Sequence, residues 1–229
     1  SNLCVAPETR ILTKDGYFPI EDLEGQEVYV WNGHKWSKTD VVKTGTNQKL
    51  IEVSFSNGSK INCTLYHKFY IETDSGQVQV EAKDLKIGMN SIKFDLGDVN
   101  DPEDKEVWSP PNCGSVSLSI NSSLYSKLRW LEGFMDQEGS ITDGTLQAAG
   151  VRASCLNDVK LMLQTIGVVS AVAHGTISIG PYYVDRLLDL GFEPKRLVLT
   201  KTNKGIDTEQ FIKVTGIQDN DRYDDTYCF

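Results

Sequence analysis

The chain has 229 residues, 39% of them hydrophobic and 24% charged, with a formal net charge of −9 and an isoelectric point of about 4.9. That length holds one large or two small domains. No apolar run reaches the roughly 20 residues of a membrane span, and no signal-peptide pattern appears. The acid excess repels phosphate backbones unless basic residues gather on one face, so DNA is a disfavoured partner and a membrane is not expected.

Cysteines stand at positions 4, 63, 113, 155 and 228. They are odd in number and form no C-x-x-C pair, which argues against a disulfide framework or a four-cysteine zinc site and fits a reducing, cytoplasmic setting. Cys4 lies behind only Ser1-Asn2-Leu3. Such a cysteine is either a small hydrophobe opening a buried strand or a placed nucleophile.

From Arg10 to Leu96 short β-type runs alternate with turn signals. YVWNGHKW (29–36) puts strand-like pieces around Asn-Gly, a strong hairpin signal. LIEVSFSNGSKINCT (50–64) repeats the device, with Ile51, Val53 and Phe55 alternating before Asn57-Gly58. GYFPIEDLEGQEV (16–28) and GQVQVEAKDLKIGMNSI (76–92) echo one another, which predicts a duplicated hairpin unit.

Residues 97–120 include an acidic, proline-rich stretch that reads as a linker. Helical spacing follows over 121–139, where Leu124, Leu128, Leu131 and Met135 recur. Asn121, Ser122 or Ser123 is available as a cap, and Gly139 as a stop. Further helices are predicted in 154–167 and 182–191, and a β pattern returns over 209–229. A β domain is thus interrupted by an α/β segment.

The histidines are at 34, 67 and 174. Thr64 and His67, three apart at the end of a hairpin strand, either share one peptide as hydrogen-bonding partners or sit on an ordinary polar turn.

Three stretches resemble the splicing blocks of inteins. Cys4, Thr9, Gly16, Ile20, Asp22-Leu23 and Gly25 are similar to the N-terminal block. GSKINCTLYHKFYI (58–71) is similar to the second, with its T-x-x-H core. DDTYCF (224–229) resembles the block before the C-terminal junction, with cysteine in place of aspartate. The resemblance implies a mostly β Hint-type (Hedgehog/intein) horseshoe over residues 4–96 plus 206–229, with residues 1–3 a remnant of the host (extein) and residues 97–205 an inserted α/β domain.

It also implies autocatalytic protein splicing, a single-turnover reaction without a cofactor. Cys4 attacks the Leu3 carbonyl to form a thioester, Thr64 polarises that peptide, and His67 protonates the departing nitrogen. Cys228, or Asp225, tunes the thiol, although a strand cysteine packed in the core is an equal reading of Cys228. Imidazole titrates near neutrality, and a free thiol near pKa ~8.5 needs such help. The chain lacks the terminal asparagine and downstream nucleophile of complete inteins, so a C-terminal intein fragment is an expected partner, with the flanking host polypeptides. Ser1-Asn2-Leu3-Cys4 resembles the active-site cysteine segment of the ribonucleotide reductase large subunit, an expected host.

LEGFMDQEG (131–139) resembles the LAGLIDADG motif of homing endonucleases. In that family the residue matching Glu138 binds a divalent metal, so Glu138 with Mg²⁺ is implied if the insert cuts DNA. Only one motif is present, and residues 97–204 hold ten basic against thirteen acidic residues, a balance of −3. The insert therefore reads as a degenerate endonuclease. An active DNA homing endonuclease, a Hedgehog-type self-cleaving domain and a Cys–His hydrolase are the competing readings.

Overall fold

The structure is a computed structural model that describes residues 4–33, 35–91, 122–202 and 212–229. Ser1–Leu3, His34, Cys113, Asn121 and the 97–120 linker lie outside the described residues. The chain divides into two compact units, Ser1–Phe94 with Gln210–Phe229, and Asp95–Glu209. The fold class is the expected one, a mostly β unit interrupted by an α/β unit.

The first unit opens with β1 (Arg10–Thr13), β2 (Gly16–Pro19), a 3-10 turn at Ile20–Leu23, β3 (Glu27–Trp31) and β4 (Trp36–Asp40). These form a four-stranded sheet in the order β2-β1-β3-β4. The second set is β5 (Val42–Phe55), β6 (Lys60–Cys63), β7 (Lys68–Thr73), β8 (Gly76–Glu81), a 3-10 turn at Ala82–Asp84 and β9 (Asn90–Ser91). The last strand, β14 (Ile212–Cys228), joins them in a six-stranded sheet, β6-β5-β14-β9-β7-β8. Both Asn-Gly hairpins form, with Trp31 opposite Trp36 and Ser54 opposite Lys60.

The echo in the sequence is an echo in the backbone. Thr13 Oγ1 donates to the Gly16 carbonyl at 2.8 Å, and Thr73 Oγ1 donates to the Gly76 carbonyl at 2.6 Å. Gly16 and Gly76 have φ of 117° and 108°, a region that favours residues without Cβ. Each hairpin then returns on its own entry strand: the Ile20 amide donates to Thr9 and the Glu21 amide to Pro7, while the Ala82 amide donates to His67 and the Lys83 amide to Leu65. The period-2 pattern faces one core: Ile51, Val53 and Phe55 are buried with Val5, Ile20, Leu23, Cys63, Phe69, Ile71, Val214 and Tyr227.

The second unit contains α1 (Leu124–Glu138), β10 (Gly139–Thr142), β11 (Thr145–Ala149), α2 (Ala153–Gln164), β12 (Ala171–Ala173), β13 (Thr176–Ile179) and α3 (Pro181–Asp189). Its sheet runs β10-β11-β13-β12, all antiparallel. Of the three candidate caps, Ser123 does the work, its hydroxyl accepting the Ser126 amide at 3.2 Å. Gly139 is the C-cap of α1, in extended backbone, and a Cβ there would lie 2.4 Å from the Met135 carbonyl oxygen. Leu128, Leu131, Phe134 and Met135 carry the helical stripe into a core with Leu146, Leu156, Leu163 and Ile177. Among the described cysteines, 4, 63 and 228 are free, while Cys155 is disulfide-bonded, whereas the scatter of cysteines predicts no such bond.

Candidate active site around Cys4

Residues 4–6 form a short extended segment wedged between two strands. The Val5 amide donates to Tyr227 O at 3.0 Å and the Tyr227 amide to Val5 O at 3.1 Å, while the Ala6 amide donates to Asn62 O at 2.8 Å. Val5 thus bridges β14 on one side and Cys63 on the other. Cys4 is buried, with 5% of its surface exposed. Cys4 thus packs as the opening residue of a buried strand segment, the first of the two readings the sequence leaves open.

What holds it is Thr64. The Thr64 amide donates to the Cys4 carbonyl at 3.1 Å, and its hydroxyl lies 3.4 Å from the same oxygen. These bonds fall on the peptide following Cys4, whereas the resemblance aims Thr64 at the peptide preceding it; the Leu3 carbonyl lies outside the described residues. The His67 amide donates to Thr64 O at 3.0 Å, closing a turn between the two residues. The His67 ring stands edge-on to Phe69, centroids 5.0 Å apart, with Nδ1 buried. Backbone bonds thus link Cys4, Thr64 and His67 in series.

On β14, burial pushes the Cys228 thiol up, with the neighbouring Cys4 adding to the effect. Cys228 Sγ contacts its neighbour's carbonyl, Phe229 O, at 3.5 Å. Asp225 is engaged elsewhere, in a 2.5 Å ion pair with Lys43. Burial pushes the Cys63 thiol up to about 12, leaving it neutral and unreactive at ordinary pH.

One neighbour of the sulfur, and that neighbour's own partner, were not legible in the sequence motifs. Thr44 Oγ1 lies 2.9 Å from Cys4 Sγ, 3.1 Å from Thr226 O and 3.4 Å from Thr226 Oγ1. Thr44 owes this aim to a bulge: Thr226 pairs with Gly45 and Tyr227 with Lys43, so one step on β14 spans two on β5 and Thr44 is the extra residue. The only signal for it is Gly45 within a strand pattern.

A charged clamp fixes the segment that follows. Arg222 donates to both Glu8 oxygens, at 2.6 and 2.9 Å, and to Asp224 at 2.6 Å, while Asn62 Nδ2 donates to Glu8 at 3.2 Å. The Arg222 hydrogen bonds hold the Glu8 carboxyl below its usual range.

In the second unit two of the motif acids, Glu132 and Asp136, serve the local fold. Asp136 accepts the amides of Lys195 and Arg196 at 2.9 and 2.8 Å. The Arg196 guanidinium donates to the carbonyls of Met135, Asp136 and Gly139, placing a cation at the end of α1. Glu132 accepts the Glu193 amide at 2.7 Å. Glu138 belongs to the last turn of α1 and is exposed. No cluster of three or more His, Cys, Asp or Glu suited to a metal occurs among the described residues.

No family model matches the chain. It is 31% identical, over 325 aligned positions, to the ribonucleoside-diphosphate reductase large subunit of Invertebrate iridescent virus 6. The match takes in all of this chain and 34% of that protein, so the chain spans about a third of its length. Solved structures with some likeness are inteins. The PabCDC21-1 intein is 18% identical, covering 41% of this chain and 73% of that one, with a TM-score of 0.34. The gp41-1 intein is 19% identical, covering 38% and 65%, with a TM-score of 0.31. The G-1F mutant of the Ssp DnaB mini-intein variant M86 is 15% identical, covering 48% and 66%, with a TM-score of 0.33. These are the protein classes that the sequence resemblance named. No described helix is long and apolar enough to cross a membrane.

Proposed function

We propose that the β unit is the N-terminal part of a Hint-type protein-splicing domain, inserted in a host of the ribonucleotide reductase large-subunit kind. The observation that carries this reading is the double hold on Cys4: its carbonyl by Thr64 and its sulfur by Thr44. A buried core cysteine needs neither.

In the first step the Cys4 S–H bond breaks and the sulfur attacks the Leu3 carbonyl carbon. An S–C bond forms, the C–N bond breaks, and the Cys4 nitrogen takes up a proton, so amide and thioester are isomers. His67 delivers that proton, and Thr64 fixes the plane of the adjoining peptide. A distortion of ~12° in the scissile peptide costs about 1 kcal/mol, roughly fivefold in rate if released at the transition state. Most of the acceleration must therefore come from proton transfer and placement. Cys228 borders the sulfur from β14; Asp225, paired with Lys43, serves the site through the strand. Completion of splicing requires a C-terminal block that brings an asparagine and a second nucleophile, from the same polypeptide or from a partner fragment. The insert is a degenerate LAGLIDADG-type domain, a reading supported by the structural use of Asp136 and the Arg196 cation beside it.

The test is cleavage at Leu3–Cys4 by hydroxylamine, in the chain carrying host sequence before Cys4. Wild type should release the upstream peptide as a hydroxamate, and Cys4→Ala should not. Release that persists in Cys4→Ala overturns the reading. With the C-terminal block restored, ligated flanks mark splicing, whereas release without ligation marks Hedgehog-type cleavage instead. For the insert, no nicking of the uninterrupted host gene in Mg²⁺ is expected; nicking that Glu138→Gln abolishes overturns its degenerate assignment.

A further inference from the structure

We infer that Thr44 is a further catalytic residue of this site: its hydroxyl stabilises the Cys4 thiolate by switching its single proton between two acceptors. This rests on the proposed thioester chemistry. Thr44 Oγ1 is 2.9 Å from Cys4 Sγ and 3.1 Å from Thr226 O. A hydroxyl has one hydrogen and two lone pairs, so it cannot donate to both acceptors at once. While Cys4 is a thiol, S–H donates to Oγ1 and Oγ1–H donates to the Thr226 carbonyl. Once the sulfur has lost its proton, the Thr44 hydroxyl turns and donates to sulfur. No atom moves except the hydroxyl hydrogen, so the stabilisation is in place before the reaction begins.

The fold supports this placement. Thr44 is the extra residue of a bulge, a device that re-aims a side chain out of the strand alternation. Neighbouring Gly45 leaves room for Thr226, whose hydroxyl would lie 2.8 Å from a Cβ there. Titratable groups near Cys4 on the elements packed against it include His67 on the turn before β7, Lys43 on β5, Cys63 on β6, Asp225, Tyr227 and Cys228 on β14, and the Glu8–Arg222–Asp224 clamp. Replacing Thr44 leaves every one of them in place.

A hydrogen bond to a charged group is worth more than one between neutral partners, but Thr44 is itself exposed on β5 and water competes for the thiolate. The expected shift is therefore about one pH unit. A more basic thiolate is also a better nucleophile, with a Brønsted slope of about 0.4–0.5, so the rate at neutral pH falls only roughly 3- to 4-fold.

The experiment follows alkylation of Cys4 by iodoacetamide against pH in the folded chain, read by peptide mass mapping, beside hydroxylamine cleavage at pH 7. Thr44→Val, close in shape but without the hydroxyl, should move half-maximal alkylation up by about one unit and slow cleavage roughly 3- to 4-fold. Thr44→Ser should restore both. Should Thr44→Val fail to fold, Thr44→Ala against Thr44→Ser makes the same comparison. Alkylation profiles that coincide for wild type and Thr44→Val overturn the inference. A wild type that alkylates but never cleaves overturns the splicing reading instead, and the alkylation shift still decides whether Thr44 acts on the sulfur.

Discussion

Gly45 is where backbone economy and chemistry meet, and Gly45→Ala isolates the link between them. A Cβ at this position would lie 2.6 Å from Gln48 Cγ and 2.8 Å from Thr226 Oγ1. Gln48 is exposed and its side chain swings away at little cost. Thr226 is 1% exposed and cannot. Overpacking of this kind costs about 1–3 kcal/mol. In a unit of just over a hundred residues, each kcal/mol lowers Tm by roughly 3–6 °C. The assay is a thermal-melt cycle of Gly45→Ala, Thr226→Ala and the double variant. Thr226→Ala removes the atom that clashes, so the double variant should be more stable than the sum of the singles by about 1 kcal/mol or more. The same relief should appear in Cys4 alkylation, because Thr226 is the other partner of Thr44. Costs that add within about 0.5 kcal/mol would show that the Cβ meets nothing it must displace, and the reasoning would fail.

Two further perturbations test the electrostatics of the two units. Glu8 is held below its usual range chiefly by Arg222; a lowered carboxylate contributes stability above its unfolded pKa of about 4.3 and loses it as pH falls through the folded value. Urea melts should therefore show a smaller pH 7-to-pH 3 loss in Arg222→Met than in wild type, by under about 1 kcal/mol because the pair is half-exposed; equal losses refute the clamp. Burial lowers Lys160 to about 8, so the unfolded chain binds the extra proton between that value and about 10.5, and stability of the α/β unit should rise by about 2–4 kcal/mol across the window. Lys160→Met should flatten that rise, and a rise that survives the substitution refutes the assignment.

The β alternation, the glycine-centred turns and the helical stripe of α1 are local signals, and each is legible because the chain nearby makes the element. Ile51, Val53 and Phe55 lie one turn of the pleat apart and reach one core together. The internal duplication was readable for the same reason: Gly16 and Gly76 each close a hairpin within their own segment. Cys4 and the Thr64–His67 pair could be marked by motif, but the bonds among them could not, since Thr64 reaches the Cys4 carbonyl across sixty positions. Thr44 escaped because it sits in Lys-Thr-Gly-Thr-Asn, an exposed polar run with no hydrophobic period, and its aim comes from a mismatch with a strand 182 positions away. The Arg222–Glu8 clamp spans 214 positions and is equally silent locally. In α1 the bonds of Asp136 to the 195–196 backbone span about sixty positions and leave no local signal either.

The long-range character of the site has a kinetic consequence. Everything that buries and orients Cys4 on one side belongs to β14: the reciprocal bonds of Val5 with Tyr227, the Thr226 carbonyl beneath Thr44, and the Arg222 grip on Glu8. That strand follows the whole α/β unit in the chain. Until it pairs with β5, the bulge that aims Thr44 has no partner to define it, and the 4–6 segment has only β6 to lie against. The cysteine then lies on a frayed end, without the partners that bury and orient it. The burial and orientation of Cys4 are thus tied to completion of the six-stranded sheet. On the proposed thioester chemistry, cleavage before Cys4 is therefore expected only once residues 212–228 have paired.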